Sequence, residues 1–185
     1  MVKYICYTNI QIMNNITFFT VCLLFFHYTD TCTAQSIVIN EVLSSNANSI
    51  TDEDGSHEDW IEFYNPGPAA VNLQGYGLTD EVALPYKWVF PNISLNSGAY
   101  LVVWASDKNR TVVGNPLHTN FKIGATGETL TLTNPSGIAV DTFPPANLPA
   151  DVSYGRSPNG STTFAYFGTP TPNAANTATA YSEIL

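Results

Sequence analysis

The 185-residue sequence predicts an all-β protein, and three observations carry that prediction. Beyond Gln35 no stretch sustains apolar residues at i, i+3, i+4 and i+7, the pattern of an amphipathic helix. Short runs of β-branched and aromatic residues recur instead, separated by clusters of Gly, Pro and Asn. One such cluster, Asn134-Pro135-Ser136-Gly137, has Pro where a type I turn needs φ near about −65° and Gly at its last position, which is hairpin chemistry. Strands at this spacing fit two packed antiparallel sheets, an immunoglobulin-like β-sandwich, better than any α/β arrangement; a small barrel is the alternative.

The strands follow in order. Ile37 to Leu43 opens the domain. In Trp60 to Tyr64 side chains alternate across the pleat, so Trp60, Glu62 and Tyr64 share one face, and Ile61 and Phe63 the other. The mixed polarity of the first set makes it the outward face. Exposed there, its rings would offer area for stacking on a sugar or anchoring a protein, although packing under a loop is the plainer reading. Val71 to Leu73 is a short strand, while Lys87 to Phe90 and Tyr100 to Ser106 are dense in strand formers and place Trp88 and Trp104 in the core. Thr129 to Thr133 and Ile138 to Phe143 flank the turn, with Leu130 and Leu132 facing inward. Val152 to Tyr154 and Thr163 to Phe167 complete a domain of residues 35–168. Residues 169–185 hold small polar residues and proline with little to bury, and read as a linker or tail.

Residues 1–34 read as a signal peptide. An apolar run, Ile16 to Tyr28, precedes Thr-Asp-Thr-Cys-Thr-Ala, so small residues flank a cut after Ala34. That run is shorter than the roughly 20 residues of a helical span, so no stable membrane insertion is expected of the mature chain. A start at Met1 or at Met13 leaves the cut unchanged. Thr31 ahead of Cys32 argues against a lipid-modified cysteine. Cys6, Cys22 and Cys32 all depart with the signal, leaving no thiol for disulfides, thiolate metal sites or a cysteine nucleophile. The expected location is outside the cytoplasm: secreted, at the cell surface or in a periplasm.

The formal charge is −9, and the cations of the mature chain, Lys87, Lys108, Arg110, Lys122 and Arg156, are scattered along it. A nucleic-acid partner would require a basic surface, so none is expected. Arg156 reads most plainly as one half of a structural salt bridge.

The sharpest local feature is Thr51 to Asp59, which packs Asp52, Glu53, Asp54, Glu58 and Asp59 ahead of a strand. Asp52-x-Asp54-Gly55 resembles the opening of a calcium loop, where alternate oxygens face a hard cation and Gly permits the turn. An EF-hand is excluded because the twelfth position from Asp52 is Phe63 rather than Glu. A looser calcium site from Asp52 and Asp54, with Glu58 or Asp59, competes with the plainer reading of a solvated acidic loop. No other cofactor is suggested. General acid/base work by these carboxylates with Glu62 would need a cleft that nothing in the sequence indicates. A serine nucleophile lacks its Gly-x-Ser-x-Gly elbow; of the two mature histidines, His57 reads as a loop residue and His118 as one that fixes a loop by hydrogen bonding.

Taken in order, Ile39-Asn40-Glu41-Val42, the acidic loop, Asp59-Trp60-Ile61-Glu62-Phe63-Tyr64-Asn65-Pro66, Leu73-Gln74-Gly75-Tyr76 and Lys87-Trp88-Val89-Phe90-Pro91 form a specific series. It continues through Tyr100 to Ser106, His118 to Phe121, Gly127 to Leu130, Ser153 to Arg156 and Pro170-Thr171-Pro172. The series resembles the bacterial form of the lamin tail domain over roughly Ile37 to Asn176. Asn173 stands where the closing Pro-Thr-Pro usually precedes Gly, and Asn tolerates similar backbone angles. The resemblance implies an immunoglobulin-like sandwich used as an accessory module of exported proteins, with no catalytic residues. The nuclear role of eukaryotic members does not carry over to an acidic chain with a signal peptide.

Three functional readings follow. The first is a non-catalytic binding or adhesion module that recognises an extracellular protein or polysaccharide, with Trp60, Glu62 and Tyr64 as candidate contacts and calcium stiffening the acidic loop. The second is a purely structural spacer of a larger exported protein. The third, a metal-dependent hydrolase using the acidic loop, requires a paired-carboxylate cleft.

Overall fold

The computed structural model describes residues 37–183, which fall within one compact unit, residues 33–185. The signal-peptide reading of residues 1–34 lies outside the described residues. All described regular structure is β: β1 (Val38–Leu43), β2 (Asp59–Tyr64), β3 (Val71–Asn72), β4 (Gly77–Thr79), β5 (Trp88–Val89), β6 (Ser94–Leu95), β7 (Tyr100–Ala105), β8 (Leu117–His118), β9 (Leu130–Thr133), β10 (Ala139–Phe143), β11 (Ser153–Arg156), β12 (Phe164–Phe167) and β13 (Ala180–Tyr181). A seven-stranded sheet, β13-β12-β11-β1-β2-β7-β8, faces a four-stranded sheet, β10-β9-β4-β5, and β3 pairs with β6 apart from both. Pairing is antiparallel except between β7 and β8, which run parallel.

The immunoglobulin-like sandwich therefore stands, with four short strands beyond those predicted, at 77–79, 94–95, 117–118 and 180–181. These are two or three residues long, too short to show alternation. The hairpin forms as the turn chemistry requires. Gly137 N–H donates to the Asn134 carbonyl at 3.0 Å, Gly137 takes φ +83°, and Asn134 Oδ1 accepts from the amides of Ser136 and Ile138.

The space between the sheets holds the main apolar cluster. It includes Ile39, Val42, Ile61, Phe63, Val103 and Ala105 from the long sheet, and Leu78, Trp88, Leu130, Leu132 and Phe143 from the short one. The expected inward placement of Ile61, Phe63, Leu130, Leu132 and Trp88 is borne out. Trp104 is also buried, but in a second cluster with Leu43 and Trp60 on the opposite side of the long sheet, against Ile50 in the loop between β1 and β2.

That second side carries the first correction. Trp60, Glu62 and Tyr64 do point away from the facing sheet, as the alternation requires, yet Trp60 and Glu62 are wholly buried and only Tyr64 is partly accessible. Two segments cover them: the loop between β1 and β2, and the chain beyond β12. The second correction follows directly. Residues 169–183 are not a loose linker, because Thr171, Asn173 and Asn176 are hydrogen-bonded to the sheet and Ala180–Tyr181 adds to its edge beside β12. Composition suggested a tail because this segment is held by polar bonds rather than by apolar burial.

β1 also departs from a regular strand. Register with β2 shifts between Ile39 and Glu41, leaving Asn40 as an extra residue. Such a bulge turns consecutive residues toward one side. Asn40 and Glu41 thereby reach the outer face with Glu62, while Ile39 and Val42 both stay in the core. Two adjacent polar residues are thus accommodated in an otherwise apolar strand without a charge entering the sandwich.

Candidate functional site

Two groups of carboxylates lie on this outer face. The first is the acidic loop. Asp52 Oδ1 accepts from the amides of Asp54 and Ser56, both at 2.9 Å, and Gly55 takes φ +79° to close the turn. The other Asp52 oxygen faces Lys108 Nζ, which also meets Asp54 at 3.0 Å and Glu58 at 3.5 Å. Arg110 bonds Glu53 and Asp54, the latter at 2.7 Å, and Lys122 reaches Glu58 at 3.5 Å. Cations that are scattered in the sequence are gathered here, because the segment after β7 folds back along the loop.

These contacts set the protonation of the loop. Hydrogen bonds from Arg110 and Lys108 hold the Asp54 carboxyl down at about 2. Burial works to raise Asp52, but Lys108 and the amides of Ser56 and Asp54 outweigh it and leave the carboxyl below its ordinary range. Of the four residues read as calcium ligands, Asp52, Asp54 and Glu58 converge on Lys108. Asp59 turns away, accepting from Asn46 N–H at 3.1 Å, and burial pushes its carboxyl up. An ammonium group, not an open cavity, stands at the point where their oxygens meet.

Sequence reasoning did not anticipate the histidine in this cluster. His118 is fully buried on β8; its Nδ1 lies 2.7 Å from Ser106 Oγ and its Nε2 3.0 Å from Glu53. Ser, His and Glu in a line have the composition of an acyl-transfer triad, but Ser106 is 4 % exposed and buried against His118. The arrangement fixes one loop to another, as expected of His118, whereas His57 is exposed. Asp52, Glu53 and His118 each offer a ligand atom within 4.8 Å of the others, but Lys108, Arg110 and Ser106 already engage all three.

The second group is the pair Glu41 and Glu62, register partners on β1 and β2 and both wholly buried. Glu41 accepts from the Ser153 hydroxyl, from the Thr171 hydroxyl at 2.8 Å and from the Thr171 amide at 3.1 Å. Glu62 accepts from Asn40 Nδ2 at 3.0 Å and from the Asn173 amide at 2.6 Å. Burial raises both carboxyls; that of Glu62, with Glu41 beside it, is lifted to about 8. The chain beyond β12 covers both. Asn173 takes φ +59°, a left-handed conformation that Asn tolerates. Tyr64, beside this pair, stacks on Tyr100 at 4.8 Å. Of the three residues read as a binding face, Trp60 and Glu62 are therefore packed and covered, and Tyr64 stays partly accessible. Arg156 pairs with Asp141 at 2.7 Å and lies over the Phe164 ring, a structural role.

A two-sheet β fold with an internally bonded polar face defines the class: an immunoglobulin-like domain. The sequence model of the Lamin Tail Domain family matches residues 31–146, well over half of the chain, and the protein belongs to that family. No curated protein matches the chain. The family match ends before β11, so the segment that covers Glu41 and Glu62 lies beyond it.

Proposed function

We propose that this chain is a non-catalytic module of an exported protein that binds an extracellular protein or polysaccharide. The observation that carries this reading is that both carboxylate groups, the sites from which catalysis or metal binding would be built, are bonded internally. Asp52, Asp54 and Glu58 are neutralised by Lys108 and its neighbours, and Glu41 and Glu62 lie under the chain's own C-terminal segment. In this reading the acidic loop is a buttress over Trp60 and Trp104, and Lys108 does the work a calcium ion would do. The hydrolase reading is less well supported, because Lys108 holds the acidic loop and the C-terminal segment covers Glu41 and Glu62. Signal-like composition ahead of Gln35 supports export.

Because Trp60 and Glu62 are covered, recognition would fall to the loops and to exposed side chains such as Val82, Leu84 and Tyr86, between β4 and β5. The test is equilibrium binding of residues 35–185 to a panel of purified polysaccharides and extracellular proteins. A saturable isotherm reduced by substitution in the 82–86 loop supports the binding role. Flat isotherms with a folded domain favour the spacer reading, which the hydrogen-bonded C-terminal segment also suits.

A further inference from the structure

The chain beyond β12 is joined to the body differently from every other element. Residues 170–176 lay no large apolar side chain on the sheet; what they supply are donors and acceptors aimed at a polar slot. Thr171 closes on Glu41 through its amide and hydroxyl, and Asn173 on Glu62 through its amide. Asn176, the one buried residue of the stretch, donates to the Arg156 carbonyl at 2.9 Å and accepts from Asn40 at 3.3 Å, while its backbone amide reaches Asn159 at 2.9 Å. Gly155 makes room for it: a Cβ there would stand 2.8 Å from Asn176 Nδ2 and 2.8 Å from the Asn40 carbonyl. At the other end, Gly168 is exposed with open space around it, a natural hinge, and Ala180–Tyr181 contributes only a two-residue edge strand.

We propose that residues 169–183 are a detachable strap whose closure over Glu41 and Glu62 weakens as pH rises, uncovering the acid slot and the edge of β12. The physical reason is that the closed strap keeps two carboxyl groups next to each other, away from water. Ionising both is costly there and easy once the slot is hydrated. Closure therefore binds protons, and proton-binding states are favoured by acid. The charged and titratable groups around Glu62 are few: Glu41 across β1, and Tyr64 and Tyr100, whose phenols stack beside the pair. Arg156 is turned to the opposite face, toward Asp141. Among the described residues no cation is paired with Glu41 or Glu62. With Glu62 at about 8 when closed, the opening equilibrium rises with pH above the ordinary carboxyl range and levels beyond about 8.

This inference does not depend on the ligand or on export. It is tested by amide hydrogen exchange of residues 35–185 from pH 5 to 10, corrected for intrinsic rates. Protection of Thr171, Asn173 and the β12–β13 amides is expected to fall by up to about tenfold per pH unit before levelling, while core amides of β2 and β7 stay protected. Glu62→Gln is expected to flatten the dependence. Strap protection independent of pH, simultaneous loss of strap and core amides, or a Glu62→Gln profile identical to the parent overturns the proposal. If Glu62→Gln does not fold, Thr171→Val decides: removing a donor to Glu41 must raise the opening constant at every pH, and an unchanged profile overturns it.

Discussion

Two segments cover the same face of the long sheet by opposite means. The loop between β1 and β2 lies over Trp60 and Trp104 and pairs its carboxylates with cations, Lys108 and Arg110 holding those of Asp52 and Asp54 below their ordinary range. The C-terminal strap lies over Glu41 and Glu62, where burial favours the protonated acids and only neutral donors are supplied. The difference teaches that a carboxylate is not a site by virtue of its charge; what matters is whether the fold has already given it a partner.

The largest expected effect breaks the apolar floor of the loop half. Trp60→Ala should cost about 3–5 kcal/mol by urea denaturation, because a wholly buried indole is lost beneath Ile50. Next comes the pH dependence of the strap half. The Glu62 carboxyl is raised in the folded state, so its contribution is present below the unfolded value of 4.5 and is lost as pH rises toward about 8. Melting temperature should therefore decline through that window, by the equivalent of up to about 5 kcal/mol, and Glu62→Gln should flatten the decline. A smaller loss, about 1–2 kcal/mol, is expected for Lys108→Ala, which leaves the buried Asp52 side chain without its ammonium partner. Arg110→Ala should barely move the melting temperature, since an exposed pair is screened by water and salt. The loop half has the opposite pH sign. Asp54 is depressed to about 2, so its pairing persists above 3.8 and is lost as acid approaches 2.

Much of the fold was legible in the sequence because strands such as Trp60 to Tyr64 and Leu130 to Thr133 alternate over enough residues to declare their faces. Alternation gave the direction of Trp60 and Glu62 correctly but could not show what lies above them, since both covering segments are irregular and one resembles a linker. The loop's cations were equally hidden: Lys108 and Arg110 stand more than fifty residues from Asp52, and only β7 and β8 bring them back. A signal for the buried pair did exist. Asn40-Glu41 interrupts an apolar strand, and the bulge that resolves this conflict is visible only in register.

The most direct test of the claim that these carboxylates are already satisfied is a calcium titration of residues 35–185, followed by calorimetry and thermal melting. A ligand that binds only the folded state must raise its melting temperature. The account predicts no saturable heat and no shift at millimolar calcium, because Lys108 occupies the centre of the loop. Saturable binding with stabilisation, abolished by Asp54→Ala, would contradict it.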